Sequence, residues 1–225
     1  MAATPTQPVP RTEVLPGIWL DARRAVYFDS LRLLVVADLH WGYAESHRRR
    51  GNLVPLWGDE EIEQRLQDLV QDFRPEGMLW LGDSLHTAEG RSGADRFLAA
   101  PPVPVSVLAG NHDASWSAIT GRSLLRDGYW FHHGDRAEEM PPGGAIEVVG
   151  HHHPALHWSD GAGGRVKLPL LVASPRRLVL PAFSPWAGGA PWHRSAADET
   201  LWAIAPRRIF AIPIAFESSP DRHLP

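Results

Sequence analysis

The sequence contains no cysteine, which excludes disulfide bonds and every metal site built on thiolates. No stretch approaches the roughly 18 to 20 apolar residues that a membrane-spanning helix needs. The opening residues, MAATPTQPVPRTE, also lack the apolar run of a secretory leader. These absences predict a protein of the reducing cytoplasm that is neither secreted nor inserted in a membrane.

The sequence also lacks a strong net charge of either sign. It has 22 Lys and Arg against 26 Asp and Glu, a formal net charge of −4. This balance argues against nonspecific attraction to polyanions, but it does not exclude nucleic acid. Arginines cluster at 48–50, 176–177 and 207–208. Each cluster is either part of a phosphate track or ordinary solvated surface.

The 225 residues, 44% of them hydrophobic, are enough for one sizeable α/β domain with a buried core. Residues 1–12 and 217–225 are too poor in apolar side chains to order themselves alone. We therefore expect a disordered N-terminal segment, a single domain over residues 13–216 and a flexible tail.

Apolar periodicity predicts one long helix and two sets of strands. The helix runs from an N-cap at Asp59 to Phe73, and Arg74 and Pro75 end it. Apolar runs predict strands at 18–20, 25–28, 33–37, 78–81, 103–109, 129–131, 146–149, 166–173 and 177–180. The last four have no long helices between them, which predicts a second, more antiparallel sheet.

Five short motifs carry side chains that bind metals. They are DLH at 38–40, GDSLH at 82–86, GNHD at 110–113, HHG at 132–134 and GHHHP at 150–154. The first three follow apolar strands, at the carboxyl ends where open α/β sheets bind ligands. Together the motifs offer carboxylates, imidazoles and one carboxamide, a ligand set that suits a pair of borderline or hard divalent ions.

Spacing suggests a role for each residue of the first three motifs. Asp38 and His40, two apart, would share one face of a strand and could bind one ion, although alone they could be a polar pair at a strand end. Asp83 follows a glycine and could bridge two ions through its two oxygens. Asn111 offers a neutral oxygen, and His112 stays free for proton transfer. The alternative to metal binding for both Asp83 and Asn111 is that each is an ordinary turn residue.

The two histidine motifs each contain more histidines than the ligand positions expected of them. His151 and His153 would share one face, with His152 pointing away from it. His132 and His133 compete for one ligand position, and His133 is preferred because the following glycine gives it room to approach an ion.

The order of these motifs, from D-x-H to G-H-x-H, resembles the calcineurin-like metallophosphoesterase superfamily over about residues 15–213. The resemblance implies a four-layer αββα sandwich with two mixed β-sheets flanked by helices. It implies two divalent ions, with manganese expected first and iron, zinc or nickel as alternatives. The implied ligands are Asp38, His40, Asp83 and His153 for the first ion, and Asp83, Asn111, His133 and His151 for the second.

Softer motifs resemble one group within the superfamily, the DNA-ligase-associated metallophosphoesterases. These are the DLHWG opening, the arginine-rich helix before GNLVP, the GDSLH block and the late LPAFSPWAGG segment. The group is implicated in the bacterial DNA damage response, and some members are described as endonucleases. The resemblance implies that His86 pairs with His112, and it implies a repair partner such as an ATP-dependent DNA ligase or helicase. One residue departs from the group: Tyr43 stands where lysine is common.

The sequence therefore predicts a metal-dependent phosphodiesterase that acts on single-stranded or damaged DNA and is linked to DNA repair. His112 would protonate the leaving group, with His86 or Asp113 orienting its ring. Two other functions are possible: a phosphodiesterase or phosphomonoesterase for small molecules, and an inactive metal-binding repair scaffold. The free imidazole of His112 argues against the scaffold. The residues expected to bind substrate are Arg48, Arg49 and Arg50.

Overall fold

The computed structural model describes residues 8–113, 115–136, 141–159, 162–193 and 196–213. Two mixed β-sheets pack face to face and bury an apolar core between them. This confirms the predicted α/β sandwich of two mixed sheets. No helix in the described segments is both long enough and apolar enough to cross a membrane.

The first sheet has six strands in chain order. They are β1 (Arg11–Leu15), β2 (Ile18–Asp21), β3 (Ala25–Phe28), β4 (Leu33–Val36), β5 (Gly77–Leu81) and β6 (Val105–Leu108). Neighbours from β1 to β4 are antiparallel, whereas β4, β5 and β6 are parallel. Parallel strands present their carboxyl ends at one edge, and here that edge carries the first three motifs.

The second sheet has nine strands. They are β7 (Ser123–Arg126), β8 (Tyr129–His132), β9 (Ile146–Val149), β10 (Pro154–Ser159), β11 (Arg165–Ala173), β12 (Arg177–Val179), β13 (Ala190–Pro191), β14 (Thr200–Ala205) and β15 (Arg208–Ala211). Three pairs, β8–β9, β9–β12 and β10–β13, are parallel. The other five pairs are antiparallel, as predicted for this sheet.

Three α-helices follow the strands of the first sheet: α1 (Tyr43–Arg49), α2 (Gly58–Phe73) and α3 (Arg91–Ala99). Ile62, Leu66 and Leu69 recur at helical spacing on α2 and are fully buried against the outer face of the first sheet. Two 3-10 turns, Ala88–Gly90 and Pro142–Gly144, complete the described helical structure. No α-helix follows α3 in the described residues, so the α-helices cover one outer face of the sandwich.

The start of α2 differs from the prediction. Trp57, not Asp59, occupies the N-cap position, and it makes no side-chain capping bond. The Asp59 carboxylate instead accepts hydrogen bonds from the backbone N–H of Gly42, 3.1 Å from each of its oxygens. Asp59 therefore holds the segment that leads into α1. At the other end, Arg74 adopts a left-handed conformation and closes the helix as predicted.

Strand alternation divides the second sheet between two apolar clusters. Val148 and Leu171 face the first sheet, whereas their neighbours Val149 and Val172 face away.

The sequence did not predict α3 or the strands β1, β7, β10, β13, β14 and β15. Strand β1 begins at Arg11, two residues before the predicted domain boundary at residue 13. Residues 1–7 and 214–225 lie outside the described residues.

Candidate metal centre

The candidate ligands meet where the two sheets present loops at the same edge. Asp38, Asp83 and Asn111 follow β4, β5 and β6, while His133 follows β8 and His151 follows β9. Backbone hydrogen bonds join these loops: Asp38 N to the Gly82 carbonyl at 3.1 Å, and Gly150 N to the His133 carbonyl at 3.0 Å. The motifs that are far apart in the sequence therefore form one site.

The first group comprises Asp38, His40 and His153. Their ligand atoms all lie within 4.8 Å of one another and could hold a metal ion. His153 Nε2 is 3.0 Å from Asp38 Oδ1 and 3.4 Å from His40 Nε2. Asp38 is fully buried, and the backbone N–H of His151 donates to its carboxylate. These are three of the four residues predicted for the first ion; the fourth, Asp83, was predicted to be shared by both ions and lies in the second group.

The second group comprises Asp83, His133 and His151, whose ligand atoms also lie within 4.8 Å of one another. His133 Nε2 is 3.3 Å from Asp83 Oδ2 and 3.2 Å from His151 Nδ1. The predicted carboxamide is present as well, because Asn111 Oδ1 is 3.3 Å from His133 Nε2. All four residues predicted for the second ion are therefore together.

These residues fit a pair of divalent ions. His40 and His153, and likewise His133 and His151, bring ring nitrogens within 3.4 Å of each other, as two ligands of one ion would. His133 Nδ1 lies 3.0 Å from the Leu81 carbonyl, to which it donates. That bond fixes the tautomer and leaves Nε2 free to bind an ion. Nitrogen and oxygen donors without thiolate suit borderline or hard cations.

Five candidate ligands have left-handed backbone, which non-glycine residues adopt uncommonly. Their φ angles are 56° at Asp38, 53° at His40, 45° at Asp83, 63° at His151 and 45° at His153. The prediction that strand alternation orients these pairs was wrong. β4 ends at Val36, so Asp38 and His40 point together because both lie in a strained loop, not on one strand face.

Two glycines allow the loops to approach each other. A Cβ at Gly82 would collide with the ring of His133, and a Cβ at Gly110 would collide with Asp83. Gly82 also has a positive φ of 79°, which only glycine adopts without strain. The glycines of GD and GN are therefore needed for close approach at the site.

The histidines of the two groups differ in pKa. Burial lowers the pKa of His40 to about 4, so its ring is neutral near pH 7. Burial would also lower the pKa of His133, but the hydrogen bond and charge of Asp83 raise it to about 9. Burial likewise opposes ionisation of Asp83, but His133 holds the pKa of that carboxyl near 2. A cation bound at the second group must displace the proton of this pair.

His112 stands at the mouth of the site, with its side chain 39% exposed. Its Nδ1 is 3.0 Å from the carbonyl oxygen of His86, and its backbone N–H donates to Asp83 Oδ1 at 2.8 Å. Its Nε2 lies 3.9 Å from Asp83 Oδ2. The expected pairing with His86 is present, but through the backbone carbonyl, while the two rings stack with centroids 5.6 Å apart.

Asp113 has contacts that differ from its predicted role. Its side chain is fully buried and accepts hydrogen bonds from three backbone N–H groups, those of Ser84, Leu85 and Gly110. These bonds tie the GDSLH loop to the GNHD loop. Because the carboxylate contacts backbone and not the His112 ring, Asp113 supports the site instead of orienting that imidazole. Burial raises the pKa of Asp113, although the three N–H groups oppose this.

The histidines that were set aside as ligands have other partners. His132 Nε2 is 3.0 Å from Glu147 Oε1, and Glu147 Oε2 is paired with Arg177 at 2.8 Å. Arg177 Nη2 donates to His152 Nε2 at 3.2 Å. The sequence did not indicate this network, because no local motif connects Glu147 with Arg177.

The three arginines expected to bind substrate do not form one cationic surface. All are exposed, at the end of α1. Arg49 is paired with both Glu45 and Glu89, and Arg48 donates to the Val54 carbonyl. Arg50 is close enough to His86 to contribute to the low pKa of that ring, about 4. Burial is the largest cause of this shift, followed by the charges of His112, His47 and Arg50.

This fold and these two Asp–His groups define a metallohydrolase with a paired metal site. The sequence profile of the calcineurin-like phosphoesterase family matches residues 31–204. The chain belongs to this family, and it is a metal-dependent phosphoesterase. A comparison with curated proteins gives no match.

One of the similar solved structures shares the fold over nearly the whole chain. The crystal structure of Pseudomonas putida nuclease MPE superposes with a TM-score of 0.71 at 24% identity, covering 91% of this chain and 100% of that chain. A protein of unknown function, AQ665 from Aquifex aeolicus, is more distant. It has a TM-score of 0.37 and 13% identity, and the match covers 56% of this chain and 80% of that one.

Proposed function

We propose that this protein is a two-metal phosphodiesterase that cleaves single-stranded DNA. The observation that carries the proposal is the meeting of two ligand groups at one sheet edge, with His112 beside them at the opening. The Pseudomonas putida protein of similar fold is named a nuclease, which supports the substrate class. The motifs that resemble DNA-ligase-associated phosphoesterases support a role in DNA repair with a ligase or helicase partner.

We assign the first ion to Asp38, His40 and His153, and the second to Asn111, His133 and His151. Asp83 lies in the second group and would be the carboxylate shared by the two ions; its Oδ1 accepts the His112 backbone N–H, and its Oδ2 lies 3.3 Å from His133 Nε2. When bound, two such ions lower the pKa of a water and offset the charge of the phosphate. Manganese remains the metal expected first.

His112 supplies the proton. Because Nδ1 donates to the His86 carbonyl, the second ring nitrogen, Nε2, is the atom that gains and loses a proton. In the imidazolium form Nε2 donates to the departing oxygen of the ester, and the positive ring also favours an anionic substrate. The backbone bond to Asp83 holds His112 against the ligand group, so donor and phosphate would meet without rearrangement.

An activity panel tests this proposal. Protein reconstituted with manganese would be given single-stranded DNA, duplex DNA, a cyclic nucleotide and p-nitrophenyl phosphate. We expect cleavage of single-stranded DNA that requires metal and is lost in Asp83→Asn. Hydrolysis confined to the monoester or the cyclic nucleotide would favour a small-molecule enzyme. No hydrolysis of any substrate at saturating metal would favour the inactive scaffold.

A further inference from the structure

A series of ring contacts begins at His112 and continues through His86 to the rings of α1. The ring of His86 stacks on that of His112, with planes 18° apart. Tyr43 packs against His86 with ring centroids 4.6 Å apart, and His47 stacks on Tyr43 at 4.3 Å. The rings of α1 therefore contact the ring of His86, which in turn stacks on the proposed proton donor.

The series extends across the start of α2. Trp186 lies parallel to Tyr43, with planes 9° apart and centroids separated by 6.1 Å. Trp57 packs against Trp186 at 4.6 Å, and 45% of Trp57 is exposed. Gly58 makes room for the Trp186 ring, because a Cβ there would collide with it. We call Tyr43, His47, Trp186 and Trp57 the aromatic row.

The outer end of the row adjoins an exposed apolar surface. Leu53 is 95% exposed and Leu56 58% exposed, and with Trp57 they make three of the six large apolar side chains exposed in the described residues. Single exposed apolar residues are ordinary, but three within five positions beside stacked rings form a patch. An exposed apolar patch of this kind indicates a binding surface.

Positive charge lies beside the rings. Tyr43, His47 and Arg50 are spaced three to four residues apart and therefore share one face of α1 and its C-cap. The charge of Arg50 reaches His86. Arg48, on the other side of α1, donates to the Val54 carbonyl oxygen and forms no ion pair within the described residues, whereas Arg49 is neutralised by Glu45 and Glu89. Aromatic rings with adjacent cations are the features that bind single-stranded nucleic acid.

We propose that the aromatic row binds the unpaired bases next to the phosphate that is cleaved, while Arg50 contacts the backbone of the same strand. This inference rests on the proposed function, because the row is placed relative to the cleaved bond by His112. Stacking needs a free base face, which a duplex hides within its own stack. The row therefore selects single strands, and it does so with little dependence on base identity.

The test compares two oligonucleotides of equal length and charge, one with all its bases and one abasic over its central residues. Binding is measured by fluorescence anisotropy with metal-loaded His112→Ala protein, in which turnover is slowed. We expect the base-containing strand to bind about tenfold more tightly or better, because only that strand has bases to stack on the aromatic rings. Adding Tyr43→Ala or Trp57→Ala should remove most of this preference.

Three further variants separate stacking from damage to the fold. Tyr43→Phe and Trp57→Phe keep a ring and should keep most of the preference. Leu125→Ala removes an exposed apolar side chain on β7, outside the row, and should leave the preference unchanged. Equal affinity for the two strands in the His112→Ala protein with an intact row would overturn the proposal. The apolar patch would then be assigned to binding a protein partner. A preference that survives both alanine changes would also overturn it.

Hydrolysis of bis(p-nitrophenyl) phosphate distinguishes this failure from that of the proposed function. Metal-dependent hydrolysis together with equal binding of the two strands would reject base stacking and retain the phosphodiesterase. No cleavage of any diester at saturating metal would reject the proposed function itself.

Discussion

The imidazole of His112 is oriented by the backbone of His86 and not by its side chain. Nδ1 of His112 donates to the His86 carbonyl oxygen at 3.0 Å, while the two rings only stack. A backbone acceptor persists when the side chain at position 86 is changed. The tautomer of His112, and hence the identity of Nε2 as the proton-carrying atom, is therefore set by the fold.

The His112→Ala protein should retain both metals. Its activity should fall most on substrates whose leaving group needs a proton. General acid catalysis contributes about 10²- to 10⁴-fold, but only when the departing oxygen is a poor leaving group. We expect a loss of that size for a dinucleotide and a loss of about tenfold or less for a nitrophenyl diester. Steady-state kinetics with metal analysis checks this. Equal losses on both substrates would mean that His112 positions the phosphate.

Asp113→Ala should destabilise the protein by about 2 to 4 kcal/mol. The change leaves the buried N–H groups of Ser84, Leu85 and Gly110 without their acceptor, and each such loss costs about 1–3 kcal/mol before relaxation. Urea unfolding of metal-free protein gives the difference. Glu60→Ala, which removes an exposed carboxylate on α2, is the control and should change the free energy of unfolding by about 0.5 kcal/mol or less. Equal effects would contradict this role for Asp113.

Metal affinity at the second group should rise with pH. Without metal, the pKa of His133 is about 9 and that of Asp83 about 2, so near pH 7 the ring is protonated and the carboxylate ionised. A cation that binds His133 must release that proton, and its apparent affinity should increase about tenfold per pH unit up to about pH 9. Calorimetry in buffers of different ionisation enthalpy measures the released proton. An affinity that is constant between pH 6 and 8 would contradict the assignment.

The arginines should contribute unequally to DNA binding. Each phosphate contact on a single strand contributes about −0.7 to the log–log dependence of affinity on salt. Arg50→Ala should therefore make the slope shallower by about 0.7, whereas Arg49→Ala should change it little, because Glu45 and Glu89 already neutralise Arg49. Binding of an oligonucleotide across a salt series provides both slopes. A larger change for Arg49→Ala would place the strand on the other side of α1.

The sequence predicted which residues come together at the site, but it did not predict the backbone conformation that orients them. Asp83 and Asn111 could be recognised because each follows an apolar strand and a glycine. The left-handed backbone of Asp38 and His40 could not, because non-glycine residues rarely adopt it and strand alternation gave a simpler explanation.

Long-range contacts account for most of what the sequence did not reveal. The bonds of Asp113 reach Ser84 and Leu85 in another loop, and Trp186 stacks on Tyr43 from a distant part of the chain. No local pattern signals either contact. An aspartate after GNH indicates a turn or a catalytic partner equally well, and a tryptophan after a proline indicates a loop.

The two Asp–His groups should each hold one divalent ion. Anomalous diffraction from crystals of manganese-loaded protein tests it most directly. We predict two manganese peaks per chain, one bounded by Asp38, His40 and His153, the other by Asp83, His133 and His151. A single peak under saturating manganese, or peaks away from these residues, would contradict the account.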